Sequence, residues 1–431
     1  MSSNAPAWLT TCLEQQEAAQ DWLRATQHSQ RASFLQRGLP LRREERWKYT
    51  DISFLTKQNY TVDGQLASDI TATINKLRLP DIDSVLLVLV NGKFSSEFSD
   101  LSLLPETVTV QSLATAFQTH PQYIEPRLPH DSKQYPFATL NSALVSDGVF
   151  LLVPDQIRVT APIHILHINT AKQTFIASPR HIIIAGAHAA LTILEEHQGL
   201  DDSNYFVNLV TDIEAGANAR IDFHKMQNES PAAAHIAQVF VTAGQDAQVN
   251  MHNLALGSRL GRDDITVNLN ARGAACQLNG FYYLTADQQQ IDNHILVEHR
   301  APYSVSEMLY KGIADKQSKV IFNGKIHVHK DAQKIQSNQY NHNLLLSTAA
   351  EVNTKPELEI YADDVKCAHG ATIGQFDEAA LFYLRARGIS QTDAMQMLTQ
   401  AFAGEVLAKI TCQVIKQKMA DLLNERFTHD G

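Results

Sequence analysis

His181-Ile182-Ile183-Ile184-Ala185-Gly186-Ala187, followed closely by Leu191-Thr192-Ile193-Leu194, is an apolar run, a small-residue turn and a second apolar run. The arrangement returns at Ala215-Gly216-Ala217, Ala243-Gly244-Gln245 and Arg272-Gly273-Ala274, with successive glycines 30, 28 and 29 residues apart. A nearly constant period of this length marks a solenoid or another array, because each repeat buries its apolar side only against its neighbours. Alternation along the strands puts Ile221, Phe223, Val239 and Val241 inside and Asp222, His224 and Thr242 outside. No helical pattern separates these strands, which argues against βαβ units. A β-sandwich would turn roughly every 8–12 residues without the longer period. From about Phe137 to Ser347 the chain is therefore read as a β-helix-like solenoid, whose open ends the helical regions at both termini could cap.

The bulk properties agree with a globular, mainly β protein. The 431 residues carry 44% hydrophobic and 19% charged side chains, enough for two or three structural units and a large core. A net charge of −10 argues against nucleic-acid binding. Cys12, Cys276, Cys367 and Cys412 are widely spaced, with no CxxC pair, so neither a disulfide framework nor a zinc ribbon is expected, and a reducing cytoplasm is the simplest setting. No signal peptide is read at the N-terminus. The longest apolar run, Val85 to Val90, is far too short to span a bilayer, so no membrane role is expected.

Outside the repeat the pattern turns helical. Residues 7–37 read as two helices with a break near His28-Ser29, ended by Gly38-Leu39-Pro40. Arg42 to Asp51 reads as a charged turn anchored by Trp47 and Tyr49, or as a basic patch diluted by Glu44 and Glu45. Val85–Val90 with Asn91-Gly92 predicts a strand and a hairpin into Lys93-Phe94. The four prolines from Pro121 to Pro136 suggest a surface linker and a domain boundary. After Gly388, Ser390-Gln391-Thr392-Asp393 forms a capping box for a helix running to about Phe427, which either folds back or presents a face to a partner. The domains are thus 1–136, N-terminal helices with a hairpin and linker; 137–372, the β-helix; and 373–431, C-terminal helices.

Chemistry concentrates in Thr354 to Thr372, where Cys367 and His369 stand two residues apart beside Asp363, Asp364 and Lys366. On a strand, residues i and i+2 share a face, so thiolate and imidazole would project together, with Gly370 letting the chain turn away afterwards. Such a pair suits iron, an iron–sulfur cluster or zinc, but two ligands do not complete a four-coordinate site. The rest must come from elsewhere in the fold, from a small molecule or from a second subunit. The plainer alternative is a packed cysteine and a hydrogen-bonded histidine. His327-Val328-His329 also puts two rings on one face, at the heart of a cupin-like pattern, yet no glutamate follows at the cupin distance, and a solvent-facing position or inter-coil hydrogen bonding is the expected role. Gln336, Asn338, Gln339, Asn341 and Asn343 read as polar stacking positions, and Cys276 as buried filler.

Several blocks together resemble the SufB/SufD family of SUF iron–sulfur cluster assembly scaffolds. They are Gly38-Leu39-Pro40 through Asp51, Val90-Asn91-Gly92 through Leu101, Leu140-Asn141 through Gly148, Asn343 through Ser347, Thr354 through Thr372, and Leu381-Phe382-Tyr383-Leu384 through Ile389. SufB carries a glutamate beside its histidine where this chain has Gly370, so the resemblance is to the SufD branch. It implies a right-handed parallel β-helix core between helical terminal regions. It implies a heterodimer with SufB, each C-terminal helical region holding one SufC ATPase, with Ser390 to Phe427 as the docking face here. It also implies a transient Fe–S cluster at the SufB–SufD interface, with His369 as an iron ligand and Cys367 exposed when ATP binding to SufC strains the dimer. Sulfur donors would act indirectly, through a SufB cysteine. A flavin in the whole complex and a homodimer in isolation are compatible with it; an ATP site in this chain is not expected. The role implied is a non-catalytic scaffold. The alternatives are a cupin-like metalloenzyme using His327 and His329, or a β-helix enzyme acting on polysaccharide, the latter disfavoured by only 7% aromatic residues and no signal peptide.

Overall fold

The computed structural model describes residues 5–429 except 17, 63, 66–68, 80–81 and 201, and only the backbone of 428 and 429. The chain is mainly β, a solenoid of about eight turns with helices in its N- and C-terminal regions. From Ala190 onward each strand lies in the opposite sheet from the one before it and pairs in parallel with the strand one coil away. Arg220–Asn228, for example, sits between Ala190–Gly199 and Gln248–Ala255, with Arg220 opposite Ala190 and Gln248. The sequence period is thus one coil of two strands. The hairpin Val85–Val90 and Lys93–Asp100, turning at Asn91 and Gly92 with φ of 49° and 83°, extends the first of the two sheets, Val85–Val90 pairing in parallel with Ile163–Asn169.

One row of turns is stacked through the backbone. His188, Asn218, Asp246, Gly273, Tyr303 and Lys334 all have positive φ. Each donates its N–H to a carbonyl of the next coil, from His188 to Ala217 at 2.8 Å through Lys334 to Asp364 at 2.6 Å. The repeated glycines are not all equivalent in this row. Gly186, Gly216 and Gly244 precede the left-handed residue by two positions, and a Cβ on Gly216 would stand 2.8 Å from the backbone of the previous coil. Gly273 is itself the left-handed residue, at φ 73°. The regular sequence spacing therefore mixes two structural positions.

The interior is a continuous apolar column in which Ile221, Phe223, Val239 and Val241 are buried as the alternation requires. Of the outward residues Thr242 is exposed, but His224 is fully buried against His252. The reason is that the terminal helices clad the outer faces of the solenoid instead of capping both its ends. Trp8, Phe34, Trp47 and Phe137 pack on Phe206 and Ile236 of one sheet. Val406, Ile410, Met419 and Phe427 pack on Leu194, Met226, Leu254 and Phe281 of the other.

Three local expectations change. The second helix runs unbroken through His28-Ser29, from Asp21 to Arg37, because the Gln27 amide is held inside by Val145 O and Ala18 N at 2.9 and 3.1 Å; the break lies before Asp21. Gly38 ends that helix as expected, with φ 74°. The proline-rich segment is no surface linker: Pro121 and Pro136 open helices, Pro126 sits in a short helical turn, and Ile124 and Leu128 are fully buried. The tail is two helices, Gln391–Leu407 and Gln413–His429; buried Ile410 carries the apolar run across the turn between them. The Ser390 cap forms, its hydroxyl accepting from Asp393 N at 3.1 Å.

Candidate functional site

Cys367 and His369 lie on Val365–Gly374, the last strand of its sheet. Pairing with Ile335–Leu345 sets Cys367 opposite Ser337 and His369 opposite Gln339. Ser337 and Gln339 are fully buried on the interior side, so both site residues sit on that side, at the end of the column. Cys367 is half-buried against the core, which pushes its thiol up, whereas His369 is exposed. The chain does not turn away at Gly370; the strand continues to Gly374, and a Cβ on Gly370 would stand 3.3 Å from the Tyr340 ring.

Beneath the pair the interior becomes polar. His299 Nε2, Ser306 Oγ and Ser337 Oγ form a line of 2.8 Å contacts leading up to the Cys367 position. Beneath His369, Gln339 Nε2 donates to Gly324 O at 2.9 Å, and Asn341 Nδ2 donates to the Tyr282 hydroxyl at 3.0 Å. That hydroxyl donates to Asn343 Oδ1 at 2.6 Å, and Thr354 Oγ1 reaches Asn341 Oδ1 from the facing sheet at 2.8 Å. Gln339, Asn341 and Asn343 are therefore inward hydrogen-bonded positions, while Gln336 and Asn338 face solvent. The outer edge of Val365–Gly374 carries no strand among the described residues, nor does that of Glu351–Ile360, which ends the other sheet. Tyr340, Ile360, Tyr361 and Ile373 expose apolar surface around this end, Tyr361 at 62%. Among the described residues, no third metal-type side chain joins Cys367 and His369.

Three other clusters bring potential ligands together: His167, His181 and Glu195; His197, Glu229 and His235; and Glu298, His327 and His329. The first two are buried and adjoin, the His167 and His197 rings stacking at 4.2 Å. Burial pushes both of those imidazoles well below their usual range, so they are neutral. The third lies on the outer side of the other sheet. His327 and His329 make the expected inter-coil contacts, to Glu298 on the preceding coil, and they stand outside a solenoid rather than inside a cupin barrel. A cupin pattern places its glutamate after the second histidine, whereas Glu298, the carboxylate that meets this pair, precedes both. The repeat period held the signal, since one coil back from His327 falls on Glu298.

Comparison with known proteins gives consistent matches. Residues 167–402 match the family model described as SUF system FeS cluster assembly, SufBD core domain, and residues 11–165 match the SufBD protein N-terminal region. An iron–sulfur cluster assembly SufBD family protein of Synechocystis sp. is 31% identical, covering 90% of this chain and 87% of that protein. The iron–sulfur cluster assembly protein SufD of Escherichia coli is 30% identical, covering 93% and 92%. SufD of Bacillus subtilis is 23% identical over 90% of each.

Proposed function

We propose a scaffold role for this chain, which belongs to the SufBD family of SUF-system iron–sulfur cluster assembly proteins. In this reading the chain contributes half of a site and the partner SufB contributes the other half. The observation that carries it is an incomplete ligand pair, Cys367 and His369, on an unpaired edge strand ringed by exposed Tyr340, Tyr361 and Ile373. An unpaired edge with apolar surround is a surface that another chain covers. A thiolate and an imidazole suit the nascent cluster, which is the cargo of the assembly and not a resident cofactor. His369, the exposed member, is the iron ligand. Cys367, half-buried and with its thiol raised, is the member that a movement of the interface would release.

SufC docks on the C-terminal region 373–431. Within it Val406 of Gln391–Leu407 and Ile415, Met419 and Leu423 of Gln413–His429 pack on the solenoid, while Met397 is left exposed. The helix Glu378–Ala386 instead turns Phe382 and Tyr383 outward, 73% and 56% exposed, and offers the apolar face. Docking is assigned to that helix together with Ser390–Phe427, where Met397 is also exposed. The chain itself catalyses nothing, and ATP is hydrolysed by its partner. All four cysteines are free, which supports a reducing, cytoplasmic setting. No helix among the described residues is long and apolar enough to cross a membrane.

Amide hydrogen exchange tests the interface. Peptides covering 351–360 and 365–374 are expected to exchange more slowly once SufB is added, with the rest of the solenoid unchanged. Unchanged exchange in both strands, with SufB bound, would overturn the proposed placement of the partner.

A further inference from the structure

Glu298, on the strand Gln290–His299, stands in register with His327 on the neighbouring parallel strand Lys319–Val328, and His329 follows two residues on. Their chain neighbours Val297, Ile326 and Val328 are buried in the column, so the three polar side chains stand on the outer face of the sheet. His327 Nδ1 lies 2.9 Å and His329 Nε2 2.5 Å from the same oxygen, Glu298 Oε2. The two rings thus turn different nitrogens toward one point, with centroids 4.3 Å apart. All three donor atoms lie within 4.8 Å of one another.

We infer that Glu298, His327 and His329 form a binding site for one first-row divalent cation of the zinc class, with the fourth, solvent-side position left to water. Two imidazoles and one carboxylate are a donor set such ions accept, at bond lengths of about 2.0–2.2 Å. Ions held that way keep their donors roughly 3.3 Å apart, so small side-chain rotations open the present contacts to fit. The side chains are rooted in adjacent hydrogen-bonded strands, which fixes their spacing before any ion arrives. Access also favours this cluster over the two inside the solenoid. Here the side chains are 12%, 22% and 36% exposed, so an ion can enter and retain a water, whereas the interior clusters are closed. The Tyr361 ring meets His327 edge-on at 5.6 Å and limits its rotation. Arg300 lies 3.9 Å from Glu298 Oε2; half exposed, it is the cation that a metal would displace, and it can swing into solvent.

The test uses the full chain, stripped with a chelator and titrated with Co²⁺ followed by visible absorption, then with Zn²⁺ in competition. One equivalent is expected to bind. Glu298→Gln and His329→Ala should each weaken binding about tenfold or more. Cys367→Ser and His369→Ala should leave it unchanged, which separates this site from the cluster pair. Circular dichroism checks that each variant is folded, and His329→Asn replaces His329→Ala should the latter not fold. Binding that survives Glu298→Gln and the His329 variant, or that disappears in Cys367→Ser or His369→Ala, would overturn the inference, as would the absence of stoichiometric binding by the wild type.

Discussion

Arg262 is fully buried, and its partners show how single residues fasten the N-terminal arm to the solenoid. Its Nε and Nη2 donate to the two oxygens of Asp264 at 2.9 and 3.0 Å, Nη1 donates to Arg46 O at 3.0 Å and to Asp292, and the guanidinium lies 3.8 Å from the Trp47 ring centroid. Asp292, also fully buried, is contacted as well by the Thr50 hydroxyl. Asp292→Ala leaves Arg262 paired with Asp264 but takes the buried acceptor from Arg262 Nη1 and the Thr50 hydroxyl, so it should lower stability by about 1–3 kcal/mol, read from urea unfolding; an unchanged midpoint would show that Asp292 does not fasten the arm. Histidines give a second prediction. Burial holds His130 and His224 down at about 3, and His252 and His299 at about 4. Each binds a proton more readily unfolded than folded, so its contribution is complete above the unfolded value of about 6.5 and is lost as pH falls toward 4. Melting temperature should therefore drop steadily from pH 7 to pH 5, each group adding up to about 1.4 kcal/mol per pH unit; a flat profile would mean that these rings take up protons as readily folded as unfolded. Cys367 and His369 were legible at this scale because a two-residue spacing on a strand fixes a shared face. Glu298 was not, because its partners lie a coil away in sequence.

At the scale of strands and turns, two tyrosines cross two glycines inside the column. Gly280 stands in register with Tyr310, and Tyr282 with Gly312. A Cβ on Gly312 would fall 1.6 Å from Tyr282 Cε2, and one on Gly280 would fall 2.2 Å from Tyr310 Cε1. The Tyr282 hydroxyl is also the hub joining Asn341 and Asn343 below the site, so its ring cannot retreat without breaking that network. Gly312→Ala should destabilise the chain by about 1–3 kcal/mol and shift near-ultraviolet tyrosine dichroism; a variant as stable as the wild type would show that the interior yields there. The repeat itself was visible in the sequence because the turns recur each coil and alternation marks the buried side, as at Ile221 and Phe223. What covers the outer faces was not visible. Leu194, Met226 and Leu254 are outward residues made apolar by the C-terminal helices, and nothing local distinguishes them from ordinary strand positions. The unbroken helix through Ser29 was hidden for the same reason: the Val145 carbonyl that holds Gln27 inside lies far off in sequence.

For the whole molecule, helices clad both sheets, the hairpin of Val85–Val90 and Lys93–Asp100 extends the first sheet at one end, and Glu351–Ile360 and Val365–Gly374 are left as edges at the other. The asymmetry gives the chain one end suited to association, and that end carries the Cys367–His369 pair. The proposed function places there a site that a partner completes. The most direct measurement is the iron and sulfide content of the anaerobically reconstituted complex with SufB and SufC, comparing wild type with His369→Ala. The account predicts that the variant complex assembles with the same stoichiometry and loses most of its iron, sulfide and visible absorption. Undiminished cluster content in an intact His369→Ala complex would contradict the ligand role and leave this chain a structural partner alone.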